Sequence, residues 1–317
     1  METSGAAFAG LIGRCPAMER LKQDLAVVGP GGERVHVFGE TGTGKEMVAK
    51  AIHASSSRAF RPLVAVNVAG LSDELFVSEV FGHARGAFTG AVGDHEGYVA
   101  KAEGSTLFID EVGDISPLAQ VRLLRFLENG EYQRLGETVA RRANVRVVSA
   151  TNVDVARRVK EGRFREDLWF RLKGDVLHVP PLRERGDDVL LLARHFLRQH
   201  AAERGGAPAT LSREAHEALL AHSWPGNVRE LHYEMRRVAV RAAGRAAQVE
   251  DLTPDLQGRP RRRGKLREAV RRFEAEMILE VLEANHGNVS RAAAELGMTR
   301  QALWARTRRH GFAPLEV

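Results

Sequence analysis

Short apolar runs alternate with stretches of helical spacing through the first half of the chain. Val35-His36-Val37-Phe38, Leu63-Val64-Ala65-Val66-Asn67, Thr106-Leu107-Phe108-Ile109 and Val145-Arg146-Val147-Val148-Ser149-Ala150 read as buried strands. Met18, Leu21, Leu25 and Val28 recur at helical spacing over residues 16–28, and Gly29-Pro30-Gly31-Gly32 breaks that helix. Another helix-like stretch covers residues 47–53. The alternation predicts an α/β fold: a mostly parallel sheet with helices on both faces. At Val179-Pro180-Pro181-Leu182 the sheet pattern stops and the period becomes helical. Leu190, Leu191, Ala193, Phe196 and Leu197 mark one helix, Ala215, Leu219 and Leu220 a second, and Trp224-Pro225-Gly226-Asn227-Val228-Arg229-Glu230-Leu231 opens a third. Residues 254–265 form a basic linker interrupted by Pro and Gly. A long helix over 266–284 then precedes two shorter ones, 289–296 and 300–310, joined by Gly297-Met298-Thr299. The expected organisation is a tail (1–8), an α/β unit (9–181), a small helical unit (182–253), the linker (254–265) and an all-α domain (266–317).

The strand ends carry the chemistry. Gly39-Glu40-Thr41-Gly42-Thr43-Gly44-Lys45-Glu46 lies between the first strand and the next helix. That layout is a P-loop: glycines let several N–H groups converge on one phosphate, and Lys45 reaches the outer phosphates. Glu46 stands where a Ser or Thr hydroxyl would serve magnesium. A strand ending in Asp110-Glu111 is the expected companion. Asp110 would hold Mg²⁺ and Glu111 would orient the attacking water, which turns nucleotide binding into hydrolysis of ATP. Thr151-Asn152 ends a further strand within reach of the γ-phosphate or the water. In the stretch 162–172, Arg165 and Arg171 are candidates to act in trans on a neighbour's γ-phosphate.

Charge separates the two ends of the chain. The net charge is +6, and residues 259–317 hold 13 Lys/Arg against 7 Asp/Glu, leaving 34 of each sign in the remainder. A polyanion partner therefore belongs with the C-terminal helices. Two short helices around a glycine turn, the second rich in arginine, read as a helix-turn-helix for double-stranded DNA. Arg291, Thr299, Arg300, Gln301, Trp304, Arg306, Arg308 and Arg309 are the candidate contacts. The single Cys15 excludes an internal disulfide and fits a reducing cytosol. Neither a signal peptide nor an apolar run long enough for a membrane span is visible, so a cytoplasmic location is expected.

These residues resemble a known family. From about residue 8 to 312 the chain is similar to bacterial enhancer-binding proteins, the AAA+ activators of sigma-54 RNA polymerase. Gly86-Ala87-Phe88-Thr89-Gly90-Ala91 is the most specific stretch, matching the family's polymerase-contacting loop unaltered. On residues alone it is a small-residue loop with one exposed Phe. The resemblance implies an AAA+ P-loop sheet with a helical lid and a Fis-type helix-turn-helix. It implies that Glu46 is usual after Lys45, and that Asn67 holds Glu111 away from water until the nucleotide state changes. Thr151-Asn152 would be the first sensor, Arg165 and Arg171 the fingers offered to the next subunit, and Arg229 the lid arginine sensing its own nucleotide. Ile12 would join the nucleotide site. The resemblance implies a homo-oligomer, a hexameric ring when active and a dimer when inactive. Such activators usually carry an N-terminal sensory domain. Only about eight residues precede the core here, as in minimal members controlled by a separate regulatory protein in trans, or in a truncated product. Thr307 stands where an apolar residue is usual. Two other readings stay open at this point: an AAA+ remodeller of another client, and a DNA-binding regulator of the same lineage that works without sigma-54.

Overall fold

The computed structural model describes residues 8, 10–257, 278, 281, 282, 285 and 288–310. It divides into two compact units, residues 1–257 and 258–317. In the first, strands β1 (Val35–Phe38), β2 (Val64–Asn67), β3 (Thr106–Asp110), β4 (Arg146–Thr151) and β5 (Asp175–His178) form one parallel sheet in the order β2-β3-β4-β1-β5. Asp110 therefore closes its strand from inside rather than following it. β5 was not legible as a strand, because Asp175, Val176 and His178 are exposed and only Leu177 is buried.

Period-two alternation sends each strand's side chains into two different cores. Leu107, Ile109 and Val147 face α3 (Asp73–Phe81) and α5 (Pro117–Asn129), which follow α1 (Pro16–Val28) and α2 (Lys45–Ala54) in the chain. Phe108, Val148 and Ala150 face the opposite way, among Leu21 and Leu25 of α1 and Val48 and Ile52 of α2. Short α4 (Tyr98–Lys101) contributes Val99 to the first core. Local chemistry sets the helix ends. Ser72 caps α3 by accepting from Leu75 N, and Ser116 caps α5 by accepting from Ala119 N, with Pro117 in the first turn. At the other end of α1, the buried Arg146 guanidinium donates to the carbonyls of Val28, Gly29 and Glu33, so three acceptors are met by one cation.

After α6 (Val155–Lys160) and α7 (Glu166–Lys173) the chain leaves the sheet through β5 and enters the lid. α8 (Asp188–Glu203), α9 (Arg213–Ala221) and α10 (Asn227–Ala242) enclose their own core of Leu192, Leu197, Leu219, Leu231, Met235 and Val238. Trp224 is fully buried there and donates from Nε1 to Leu219 O at 2.9 Å. Two small pairings were not anticipated: Glu131–Tyr132 with Arg141–Arg142, and Thr210–Leu211 with Ala246–Ala247. Among the described residues no helix is long and apolar enough to cross a membrane.

In the second unit α11 (Val289–Glu295) and α12 (Arg300–His310) pack through Ala292, Ala293 and Leu303 on Ile278. Asn288 caps α11 by accepting from Ser290 N and Arg291 N. Gly297 turns the chain at φ +64°, a conformation that favours glycine. Thr307 is buried, and its hydroxyl is satisfied by Trp304 O at 2.8 Å, which explains how a polar residue sits in an apolar position. Most of the linker and of the expected helix over 266–284 lies outside the described residues.

Candidate ATPase site, contact loop and DNA-binding helices

Parallel register brings the ends of four strands together: Phe38 lies beside Thr151, and Asn67 beside Asp110. The glycine loop leaves β1 there. Gly42 and Gly44 have φ of +79° and +102°, values that L side chains rarely adopt. α2 then starts at Lys45, so its first N–H groups, which lack intrahelical partners, open toward the loop. Lys45 is buried; its Nζ donates to Gly39 O at 2.9 Å and Glu40 O at 3.4 Å, and lies 3.7 Å from Glu111 Oε1. Glu46 pairs with Lys50 at 2.7 Å on the helix surface, and its charge still adds slightly to the rise of the Asp110 carboxyl.

Asp110 Oδ1 accepts from Glu111 N at 3.0 Å. Burial holds its carboxyl above the ordinary value, the Glu111 charge adds to that, and Lys45 opposes it. Glu111 itself has φ +59°, a left-handed conformation uncommon outside glycine and found disproportionately at functional sites. Its Oε2 accepts from Asn152 N at 3.3 Å, and Asn152 Nδ2 donates to Thr41 Oγ1 at 2.8 Å. Thr151 is buried, accepting from Val153 N through its hydroxyl and from Gly39 N through its carbonyl. Lys45, Thr41, Glu111 and Asn152 are thus one connected set. Asn67 does not bond Glu111 here; its Oδ1 accepts from Ala69 N at 2.9 Å.

The lid grips the loop. Glu40 takes two bonds from Arg183, at 2.8 and 2.7 Å, and one from Asn227 Nδ2 at 3.2 Å. Those hydrogen bonds, Arg183's first, hold the Glu40 carboxyl below its usual value. Thr41 O accepts from Asn227 Nδ2 at 3.0 Å, Gly42 O from Arg229 N at 3.2 Å, and Thr43 O from buried Arg185 at 2.8 Å. Asn227 is fully buried at φ +53° and also accepts from Leu182 N at 2.8 Å. Sequence alone assigns no site role to Arg183, Arg185 or Asn227, since their partners lie about half the chain away. The exposed Arg229 has its Cβ against Gly42, and Ile12 packs half-buried on the lid core.

Arg165 stands just before α7 without capping it and is drawn to Asp167, with Nε 3.0 Å from Oδ1 and Nη2 2.7 Å from Oδ2; Arg171 is exposed in the helix that follows. In the loop, Gly86 N donates to Ala91 O and Ala91 N to Phe88 O, while Thr89 and Gly90 are exposed. Phe88 is half-buried rather than exposed; its ring meets His83 in a T-shaped contact with centroids 5.0 Å apart, and the His83 ring stacks on His95 with centroids 5.4 Å apart. Beneath the loop, Gly82 and Gly97 meet back to back: a Cβ on Gly82 would fall 2.5 Å from His95 O, and one on Gly97 2.4 Å from Gly82 N. In the second unit Arg291, Thr299, Arg300, Gln301 and Arg306 are exposed and Trp304 is 46% exposed. The Arg308 and Arg309 side chains lie outside the described residues.

A helical lid gripping the phosphate loop beyond a parallel sheet is the arrangement of AAA+ ATPases, and this chain is one. Comparison with known proteins narrows the class. Residues 11–178 match the Sigma-54 interaction domain, 183–269 the AAA+ ATPase lid domain, and 269–310 the Bacterial regulatory protein, Fis family. The transcriptional regulatory protein ZraR of Escherichia coli (strain K12) is 42% identical over 302 residues, covering 95% of this chain and 68% of that protein. The anaerobic nitric oxide reductase transcription regulator NorR of Salmonella paratyphi C is 43% identical over 302 residues, covering 90% of this chain and 60% of that one. Among solved structures, NtrX from Brucella abortus in complex with ATP has a TM-score of 0.71 at 34% identity, covering 95% of this chain and 69% of that one. The chain belongs to the sigma-54-dependent transcriptional activators, with sigma-54 and DNA as partners and ATP bound and hydrolysed by the AAA+ domain.

Proposed function

We propose that the protein acts as a ring of identical subunits on enhancer DNA, in the cytoplasm, remodelling the sigma-54 RNA polymerase closed complex into the open one. Residues 9–181 and 182–253 form the motor and 266–317 the DNA anchor. ATP lies between neighbours: the loop amides and Lys45 bind its phosphates, and Ile12 and Arg229 contact it within the same subunit. Glu111 orients water, Thr151 and Asn152 read the γ-phosphate, and Arg165 and Arg171 of the next subunit complete the site. The donors fit magnesium, which takes one or two carboxylates together with substrate phosphates. Asp110, raised by burial, would hold it, and when bound it would neutralise phosphate charge. α12 supplies base and phosphate contacts through Arg300, Gln301, Trp304 and Arg306, and Arg308 and Arg309 are further candidate contacts.

One observation carries this reading. Asn67 ends β2, Glu111 follows the end of adjacent β3, and the two lead into α3 and α5, whose N-termini are tied by a hydrogen bond from Ser116 Oγ to Asp73 Oδ1. α3 in turn ends at Gly82, the foot of the loop 86–91. A change at Glu111 therefore has a short route to Phe88 and Thr89. The loop then bears on sigma-54 as nucleotide turns over. The decisive experiment is ATP-dependent open-complex formation with purified sigma-54 polymerase. Open complex that forms equally well without hydrolysable ATP would overturn the proposal.

A further inference from the structure

Glu40 is the only acidic residue from Gly39 to Lys45, within the loop that receives a polyanion. A carboxylate beside phosphates repels them, so its presence needs a compensating charge. The structure supplies one from outside the loop. Arg183 Nη1 and Nη2 take one Glu40 oxygen each, at 2.8 and 2.7 Å, the bidentate geometry that fixes direction as well as charge. Asn227 Nδ2 adds a third donor at 3.2 Å. The carboxylate is thereby turned toward the hinge after Pro181, and the three carbonyls that follow it are held by Asn227, Arg229 and Arg185.

We infer that Arg183 is a positioning residue for ATP that acts through Glu40: it cancels and directs the single negative charge of the phosphate loop. This rests on the reading that residues 39–45 bind phosphate. Arg183 touches no reacting atom. It sets the field the phosphates meet and the angle at which the hinge leaves the loop. Glu40 and Arg183 side chains are 44% and 46% exposed, so the effect is screened and modest, and loss of Arg183 leaves the fold intact.

The test is a double-mutant cycle on the full chain, with the Kd of a fluorescent ATP analogue read at protein concentrations too low for assembly. Arg183→Ala is expected to weaken binding about 5-fold at low salt, shrinking to less than about 2-fold near 1 M salt. In a Glu40→Gln background, the same Arg183→Ala change is expected to shift Kd by less than about 2-fold, because the charge it cancels is gone. Arg183→Gln should follow Arg183→Ala, and a thermal melt checks that each variant is folded. Equal weakening in both backgrounds would overturn the inference, as would no weakening in the native background or one insensitive to salt. Lys45→Ala separates this from failure of the underlying reading: if it binds the analogue as tightly as the native chain, the loop is not the phosphate site.

Discussion

Replacing Asn227 by alanine tests whether the lid and the phosphate loop are one mechanical body. Three hydrogen bonds would go. Leu182 N would lose its acceptor in a buried position, at a cost of about 1–3 kcal/mol. The donations to Thr41 O and Glu40 are worth about 1 kcal/mol each, the second discounted because Glu40 is partly exposed. Alanine at φ +53° adds about 1 kcal/mol, since asparagine tolerates the left-handed region better. The total is about 4 kcal/mol, which for a unit of this size lowers Tm by about 8–16 °C. Differential scanning calorimetry of the full chain reads it directly. Asn227→Gly escapes the backbone penalty and should be about 1 kcal/mol milder. A drop below about 3 °C for Asn227→Ala, or a glycine variant worse than alanine, would refute the reasoning.

Other expectations follow from the site. Lys45→Ala should abolish ATP binding in a filter or fluorescence assay, whereas Glu111→Gln should retain binding and lower kcat by roughly 10²-fold or more. Thr89→Ala should keep ATPase activity within about 2-fold of native and fail in open-complex formation, because Thr89 is exposed in the proposed contact loop and takes no part in the proposed nucleotide site. Asp110→Asn should stop turnover while raising Tm at pH 7. Its folded carboxyl titrates above the ordinary 3.8, so the native state pays for the charged form at neutral pH. That contribution is favourable below 3.8 and is lost as pH rises through the folded value, so the gain from Asn should shrink as the solution is acidified toward 3.8.

What could be read from the chain was what short sequence spans determine. The glycine loop, the Asp110-Glu111 pair and the α11–α12 turn each depend on neighbours in sequence, and each stands in the structure where its spacing put it. β5 was hidden because an edge strand with three exposed positions shows no apolar run. Arg183, Arg185 and Asn227 looked like ordinary hinge and helix-start residues, since their role exists only once residues 142 to 187 positions apart meet. Arg146 sat inside an apolar run and gave no sign that it would close off α1. Phe88 was misjudged for the same reason: the His83 ring that shelters it stacks on His95, beyond the loop itself.

The back-to-back glycines under the contact loop have a mechanical consequence. Side chains yield when pushed, by changing rotamer or shifting their packing. At Gly82 and Gly97 peptide presses on peptide with no such cushion between. A load arriving at Thr89 would be borne by covalent backbone at its footing, much as a lever is useful only if its fulcrum does not sink. Any residue larger than glycine at either position would wedge the two segments apart and undo that footing.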